Sequence, residues 1–322
     1  MRLPDSFAWP IALVSAPPIS VVLPAYNADR FIGLALDSLA TQTHSDFEAL
    51  VIDDGSTDRS LELARKHVGN DPRFRIVSRP NKGLVATLNE GIALASGKYI
   101  FRMDADDVSH PERFAAQVAY LERNASTVAV GTRMMLADEE LWPIVEMINS
   151  FTHDEIDAEN LLGAGSAMCH PSVAMRRDTL IAVGGYRAEY ECAEDLDLFL
   201  RMAEVGRLAN LPRVLLTYRQ HLASIGYAKR HLQAERTALA VHDARRRRGR
   251  NVESTNLSSE RGDTTDVASS YHSVAEIHRK WSWLALAGGH PSTARKHAFK
   301  ATRLQPLSPA NPRLLACVLR GR

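Results

Sequence analysis

The sequence predicts an α/β fold: a mainly parallel sheet with helices on both faces, followed by a small C-terminal helical hairpin. Three observations carry the prediction. Between residues 19 and 124, β-branched apolar runs alternate with stretches of helical apolar spacing. Each apolar run ends in a compact polar cluster. Beyond residue 270 the pattern is helical only.

The elements follow in order. "ISVVLPAYN" (19–27) is a β-branched run stopped by Pro24, a buried strand leading into a loop. "RFIGLALDSLATQ" (30–42) places Phe31, Leu34, Ala35 and Leu39 on one helical face. "FEALVIDDGSTD" (47–58) reads as a second strand and a polar turn, and "RSLELARKHV" as a second helix. "FRIVSRPNKG" gives a third strand, "LVATLNEGIALASG" a helix, "KYIFRMD" a fourth strand and "HPERFAAQVAYLERN" another helix. Strands so separated form parallel βα units covered on both faces. Ligands of such sheets sit beyond the carboxyl ends of the strands. "PAYN", "DDGSTD", "RPNKG" and "DADD" all fall there, so four polar loops are expected on one rim.

The second half is less regular. "STVAVGTRMML" reads as a strand, and "HPSVAMRRDTLIAVGGY" as a strand, a short helix and a glycine turn. "AEDLDLFLRMAEVG" is an amphipathic helix and "RVLLTYRQH" a last strand. The expected organisation is a lead-in over 1–17, an α/β domain over 18–227, a basic helix over 228–248, a polar linker over 249–270 and a hairpin over 271–322. That hairpin resembles one tetratricopeptide-type pair. A single such unit cannot bury its own face, so it must pack on the α/β domain or on a partner.

Bulk composition narrows the class. The chain has 322 residues, 45% hydrophobic and 24% charged, enough to bury a real core. A net charge of +1 gives no electrostatic case for a nucleic-acid partner. Cys169, Cys192 and Cys317 are too scattered for a disulfide framework or a zinc knuckle, which points to a reducing cytoplasm. No run of about 18 apolar residues exists, so no spanning helix is expected. "SFAWPIALVSAPP", broken by proline behind a lone Arg2, reads as a loose lead-in rather than a leader. Arg245 to Arg248 form a local basic block. It reads as a solvated helix end, or as a peripheral contact with a partner or the inner face of a membrane, at about 1 kcal/mol per basic residue.

The acidic stretch "YIFRMDADDVSHPERF" (99–114) carries the chemistry. Side chains alternate along an extended segment, so Asp104 and Asp106 point the same way. Paired carboxylates suit a hard divalent cation such as Mg²⁺ or Mn²⁺, which takes substrate phosphates as further ligands. A solvated turn that caps the helix at Pro111 is the other reading. In "DDGSTD", Asp54 either accepts from a nucleoside or belongs to a capped turn in which Ser56, Thr57 and Asp58 start the next helix. Glu194 and Asp195 open a helix, where carboxylates meet unpaired N–H groups and the positive dipole end. A catalytic base fits the same place.

Taken together, "VVLPAYN", "VIDDGSTD", "RPNKG", "ATLNEGIALASGKYIFRMDADD", "HPSVAMRRDTLIAVGGY", "AEDLDLFLRMAEVG" and "LLTYRQH" resemble the family 2 glycosyltransferases of GT-A (Rossmann-like) fold. The resemblance covers about residues 18–225, in order and at typical spacings. It implies a metal-dependent, inverting enzyme that moves a sugar from a nucleotide-sugar donor, UDP-linked first among the options, to a hydroxyl of a glycan or lipid-linked acceptor in polysaccharide synthesis. Residue by residue, Pro24, Tyr26, Asp53 and Asp54 would line the nucleoside, with Lys82 near the donor. Asp104 would lie by the ribose or the metal. Asp106, with Asp104 and His221, would hold Mn²⁺ or Mg²⁺, and Asp107 would assist or cap the next helix. Asp195 would be the general base. Arg201 would pair with a carboxylate or touch diphosphate. The spanning helices and Gln-x-x-Arg-Trp motif of processive relatives are absent from the sequence. A catalytically silent scaffold that binds partners through its helical tail is the alternative.

Overall fold

The computed structural model describes residues 18–163, 167–222, 230–249 and 273–321. The lead-in expected over 1–17 and nearly all of the linker expected over 249–270 lie outside these residues.

The first half is the predicted βα ladder. Strands β1 (Ile19–Ala25), β2 (Phe47–Asp53), β3 (Phe74–Ser78) and β4 (Tyr99–Arg102) pair in parallel in the order β3-β2-β1-β4. Helices α1 (Ile32–Ala40), α2 (Ser60–Val68) and α3 (Leu84–Leu94) connect them. Alternation sorts β1 between two cores. Val21 and Leu23 pack with Leu36, Phe101 and Phe114, while Val22 packs with Leu50, Leu88 and Phe199 on the opposite face. A Cβ on Gly91 would stand 2.4 Å from Val22 Cγ1, so only glycine lets α3 lie this close to the sheet. Pro24 is tolerated in this central strand because β4 pairs only with Ile19 to Val22, and no neighbour there needs its missing N–H.

Beyond β4 the sheet becomes mixed. Helix α4 (Arg113–Arg123) follows the two-residue strand β5 (Val108–Ser109). Strand β6 (Thr127–Ala137) then pairs with β7 (Pro143–Met147), with the short β8 (Ala174–Arg176) and, in parallel, with the long β9 (Arg207–Arg219). Strand β8 runs antiparallel to β4 and joins the halves, and β5 hydrogen-bonds to the end of β9. Among the described residues the order is β3-β2-β1-β4-β8-β6-β9-β5, with β7 on β6. Helices α5 (His153–Leu161), α6 (Arg177–Ala182) and α7 (Glu194–Ala203) cover this half.

Helix α8 (Arg230–Arg247) carries the basic block, and the block is an internal fastener. Arg247 pairs with Glu204 (2.8 Å), Arg248 with Asp157 (2.7 Å), and Arg245 donates to the Leu161 carbonyl (3.1 Å). The solvated-end reading therefore fits Arg246 and, despite its ion pair, Arg247, which are both exposed. Helices α9 (Val274–Ala287) and α10 (Pro291–Leu304) form the hairpin, joined by α11 (Asn311–Arg320). Trp281, Ala285, Ala294, Ala298, Leu314 and Val318 bury against Leu136 and Ile144, so the helices dock on β6 and β7 of the same chain. Among the described residues no helix is long and apolar enough to cross a membrane.

Candidate active site

The sheet brings the four polar loops to one rim. Registers Ala25 with Asp53 and Asp53 with Ser78 align the ends of β1, β2 and β3, and β4 leaves on the far side of β1. Strand order reverses between β1 and β4, where such sheets open a ligand crevice.

On the β1–β3 side the predicted residues knit the rim together. The Asn27 N–H donates to Ser56 Oγ (3.0 Å) and Asn27 Oδ1 accepts from the Thr57 N–H (2.8 Å), with Asn27 at φ +49° in the left-handed region that asparagine tolerates. Tyr26 is exposed beside this joint, while Pro24 is buried within β1. Asp53 is buried and accepts from Ser78 Oγ (2.7 Å) and the Ser56 N–H (3.2 Å). Asp54 pairs with Arg79 and accepts from the Lys82 N–H (2.8 Å) and Gly83 N–H (3.0 Å). Its carboxylate thus shapes the "RPNKG" loop. The Lys82 side chain is exposed.

Past β4, Asp104, Asp106 and Asp107 turn back on one another, with one oxygen from each lying within 4.8 Å of the others. Asp104 is ion-paired with the buried Arg102. Burial raises the Asp104 carboxyl, Arg102 opposes the rise and Asp106 adds to it. Asp106 Oδ2 lies 3.0 Å from His221 Nε2. Asp107 is buried, and its Oδ1 accepts from the Arg219 N–H (2.9 Å), which holds β9 beside the turn. Burial, then the charges of Asp106 and Asp104, push the Asp107 carboxyl well above its ordinary range. Its Oδ2 is buried without a hydrogen-bond partner. A dry carboxylate oxygen in a cluster of like charges is costly unless a cation completes it. Hard oxygen donors at this spacing fit Mg²⁺ or Mn²⁺.

The second carboxylate group begins α7. Asp195 Oδ1 accepts from the Leu196 N–H (2.8 Å), and burial raises its carboxyl, with Asp104 adding and Arg102 opposing. Glu194 is buried, with Oε2 unpartnered, and burial together with the Asp195 charge lifts its carboxyl to about 7. The residue two before it in the chain, Cys192, has φ +72°, a strained setting that aims the start of α7. The strand-end acids and the helix-start acids therefore lie within electrostatic reach of one another around Arg102.

His170 and Arg201 have structural partners. His170 Nε2 lies 2.7 Å from the Tyr186 hydroxyl, and burial holds the imidazole well below its usual range, hence neutral. Arg201 binds Asp197 (2.7 Å) and the Gly185 carbonyl (2.7 Å), the carboxylate pairing of the two roles expected for it.

Sequence reasoning passed over Arg102, Arg219 and Arg113. Arg102 stands two residues before Asp104 in an extended run, so period-two alternation could have placed it with the acids. Arg113 is fully buried, donates to the Arg102 carbonyl (2.7 Å) and is lowered to about 9 by burial. Nothing local in "HPERF" marks it as a buried support.

Comparison with known proteins agrees. A family model described as "Glycosyl transferase family 2" matches residues 20–184. The chain is 32% identical over 211 residues to "Putative glycosyltransferase EpsE" of Bacillus subtilis (strain 168), covering 64% of this chain and 74% of that protein. It is 30% identical over 235 residues to "Hyaluronan synthase" of Pasteurella multocida, covering 72% of this chain and 24% of that protein. Among solved structures, S. aureus TarS 1-349 in complex with UDP-GlcNAc superposes with TM-score 0.53 at 17% identity, over 94% of this chain and 79% of that one. Mannosyltransferase PcManGT from Pyrobaculum calidifontis, in complex with GDP-Man and Mn²⁺, superposes with TM-score 0.52 at 20% identity, over 94% and 79%. At these identities the structural likeness shows the GT-A fold.

Proposed function

The chain belongs to glycosyl transferase family 2, and from that membership we propose that it transfers a sugar from a nucleoside-diphosphate sugar to an acceptor hydroxyl, with inversion at the anomeric carbon. One observation carries the reading: Asp104, Asp106 and Asp107 cluster at the end of β4, and the buried Arg102 that pairs with Asp104 also acts electrostatically on Glu194 and Asp195 at the start of α7.

The two groups divide the work. Tyr26 and the loop shaped by Asp53 and Asp54 flank the nucleoside, with the Lys82 side chain near the phosphates. Asp106 would hold Mn²⁺ or Mg²⁺ with Asp104 and Asp107, and His221, whose Nε2 lies 3.0 Å from Asp106 Oδ2, would join the ligand set or orient that carboxylate. A bound cation supplies Lewis-acid stabilisation of the charge that develops on the departing diphosphate. Asp195 accepts the proton of the acceptor hydroxyl from within about 3 Å as that oxygen attacks. The new bond forms from the acceptor oxygen to the anomeric carbon as the bond to the phosphate oxygen breaks. The electron pair leaves with the nucleoside diphosphate. One base opposite the leaving group gives one displacement and hence inversion.

UDP is the first nucleotide to test, supported by the TarS complex, with GDP next, supported by the PcManGT complex. The acceptor class, a glycan or lipid-linked glycan, is supported by the polysaccharide synthases among the relatives. The experiment is a panel of nucleotide sugars with Mn²⁺, scored by thermal shift and then by released nucleoside diphosphate. Stabilisation and turnover with one donor support the reading. No shift and no release from any donor, with each acceptor class supplied, would refute it.

A further inference from the structure

The α10 helix ends a polar path that begins at the acidic turn. Asp138, one residue past β6, is buried and accepts from the Glu140 N–H (3.0 Å) and Trp142 N–H (2.9 Å), which closes a tight turn over residues 138–142. Its other oxygen pairs with the Lys296 ammonium and stands 3.1 Å from His297 Nε2. Lys296 also lies 4.7 Å from the centre of the Trp142 ring. His297 is fixed in turn by His278, whose Nδ1 is 3.0 Å from its own, the two rings stacked at 5.1 Å. The hairpin is pressed onto this edge of the sheet: a Cβ on Gly288 would stand 2.5 Å from the Ile144 carbonyl oxygen.

The same turn reaches the acids. The Glu139 carbonyl accepts from Arg219 Nη1 (2.5 Å), and the Glu139 carboxylate pairs with Arg30. Arg219 Nε donates to the Asp106 carbonyl (2.7 Å), and its backbone N–H donates to Asp107 Oδ1 (2.9 Å). Its guanidinium lies 4.7 Å from the Phe31 ring, which packs 5.1 Å from His221, the neighbour of Asp106. From α10 to Asp107, then, every step is a hydrogen bond, an ion pair or a covalent link.

We propose that the C-terminal hairpin is a strut for the donor seat, with Lys296 and His297 as positioning residues. They hold Asp138 and the 138–142 turn, the turn holds Arg219, and Arg219 holds the backbone that carries Asp106 and Asp107. The hairpin contacts that make up this path are to Asp138 and Glu140, so its effect on Asp106 and Asp107 is on how well the seat is preorganised. The functional consequence rests on the reading above; the mechanical link does not.

The test uses the full chain and amide hydrogen exchange. In Lys296→Met, exchange of the Arg219 N–H accelerates by about tenfold or more, while Val51 and Ile100 in the parallel half keep wild-type protection. The Mn²⁺ concentration that gives half-maximal thermal stabilisation rises by roughly fivefold or more, and Lys296→Arg restores most of both. Acceleration confined to α10, with Arg219 protected as in the wild type, overturns the strut. Should Lys296→Met not fold, the unmodified chain decides, because coupling is reciprocal: Mn²⁺ with UDP must slow exchange within α10 if the path transmits. Unchanged exchange there on saturation overturns the proposal. If the unmodified chain binds neither Mn²⁺ nor any donor, the functional reading fails, and Arg219 exchange in Lys296→Met and Gly288→Val still decides the strut.

Discussion

The two carboxylate groups of the rim share burial and the influence of Arg102 but differ in the element that carries them and in their close partners. Asp104, Asp106 and Asp107 come from a turn after a strand and each has a close polar partner: the Arg102 guanidinium on Asp104, the His221 ring on Asp106, the Arg219 N–H on Asp107. Glu194 and Asp195 come from a helix start; burial raises both, as it raises Asp104 and Asp107, and the hydrogen bonds they accept come from backbone N–H groups. On the proposed reading the first group seats a cation and the second takes up a proton. The difference lies in what surrounds the acids, since the side-chain chemistry is the same.

Substitutions can break that contrast. The largest effect is expected at Asp195. Asp195→Asn should lower turnover by about 10³-fold, within the usual range for a general base, while donor-induced thermal shift stays at the wild-type value. Asp106→Ala should remove both the Mn²⁺ requirement and donor stabilisation, with turnover down about 10²-fold, measured by Mn²⁺ titration of released nucleoside diphosphate.

Glu194 offers a stability test with a defined sign. Its folded carboxyl is raised to about 7, so the folded state binds a proton that the unfolded state has already released. Folding free energy is therefore lost as pH climbs from the ordinary carboxylate range through about 7. Glu194→Gln should be more stable than wild type at pH 8 by roughly 1–3 kcal/mol, and the gain should vanish near pH 4. Urea unfolding at the two pH values measures it. An equal gain at both would mean that the glutamate's charge plays no part. The smallest effect belongs to Lys82. Lys82→Ala should raise the donor KM only about threefold, and less at high salt, because an exposed ammonium is screened.

Legibility divided along the same line as the fold. The β1–β4 half could be read because each strand is apolar on both faces and each loop starts with turn and cap residues. The convergence of "DADD" with "AEDL" was legible only through the family resemblance, since no local pattern reports a contact between residues so far apart in sequence. Elements between 138 and 163 were passed over. The edge strand β7 carries a proline and is only five residues long, so its period is too short to stand out. Helix α5 did have a signal: Thr152 and Glu155 form a reciprocal capping box. The hairpin was legible as a unit, but its seat on β6 and β7 rests on Leu136, Ile144 and Asp138, which look like ordinary strand and turn residues.

The division of labour between the two acid groups is tested most directly by measuring donor binding and turnover side by side in Asp195→Asn and Asp106→Ala with Mn²⁺ present. The structure predicts that Asp195→Asn binds the nucleotide sugar as the wild type does and fails to transfer it, while Asp106→Ala loses binding first. Loss of binding in Asp195→Asn, or full binding in Asp106→Ala, would contradict it.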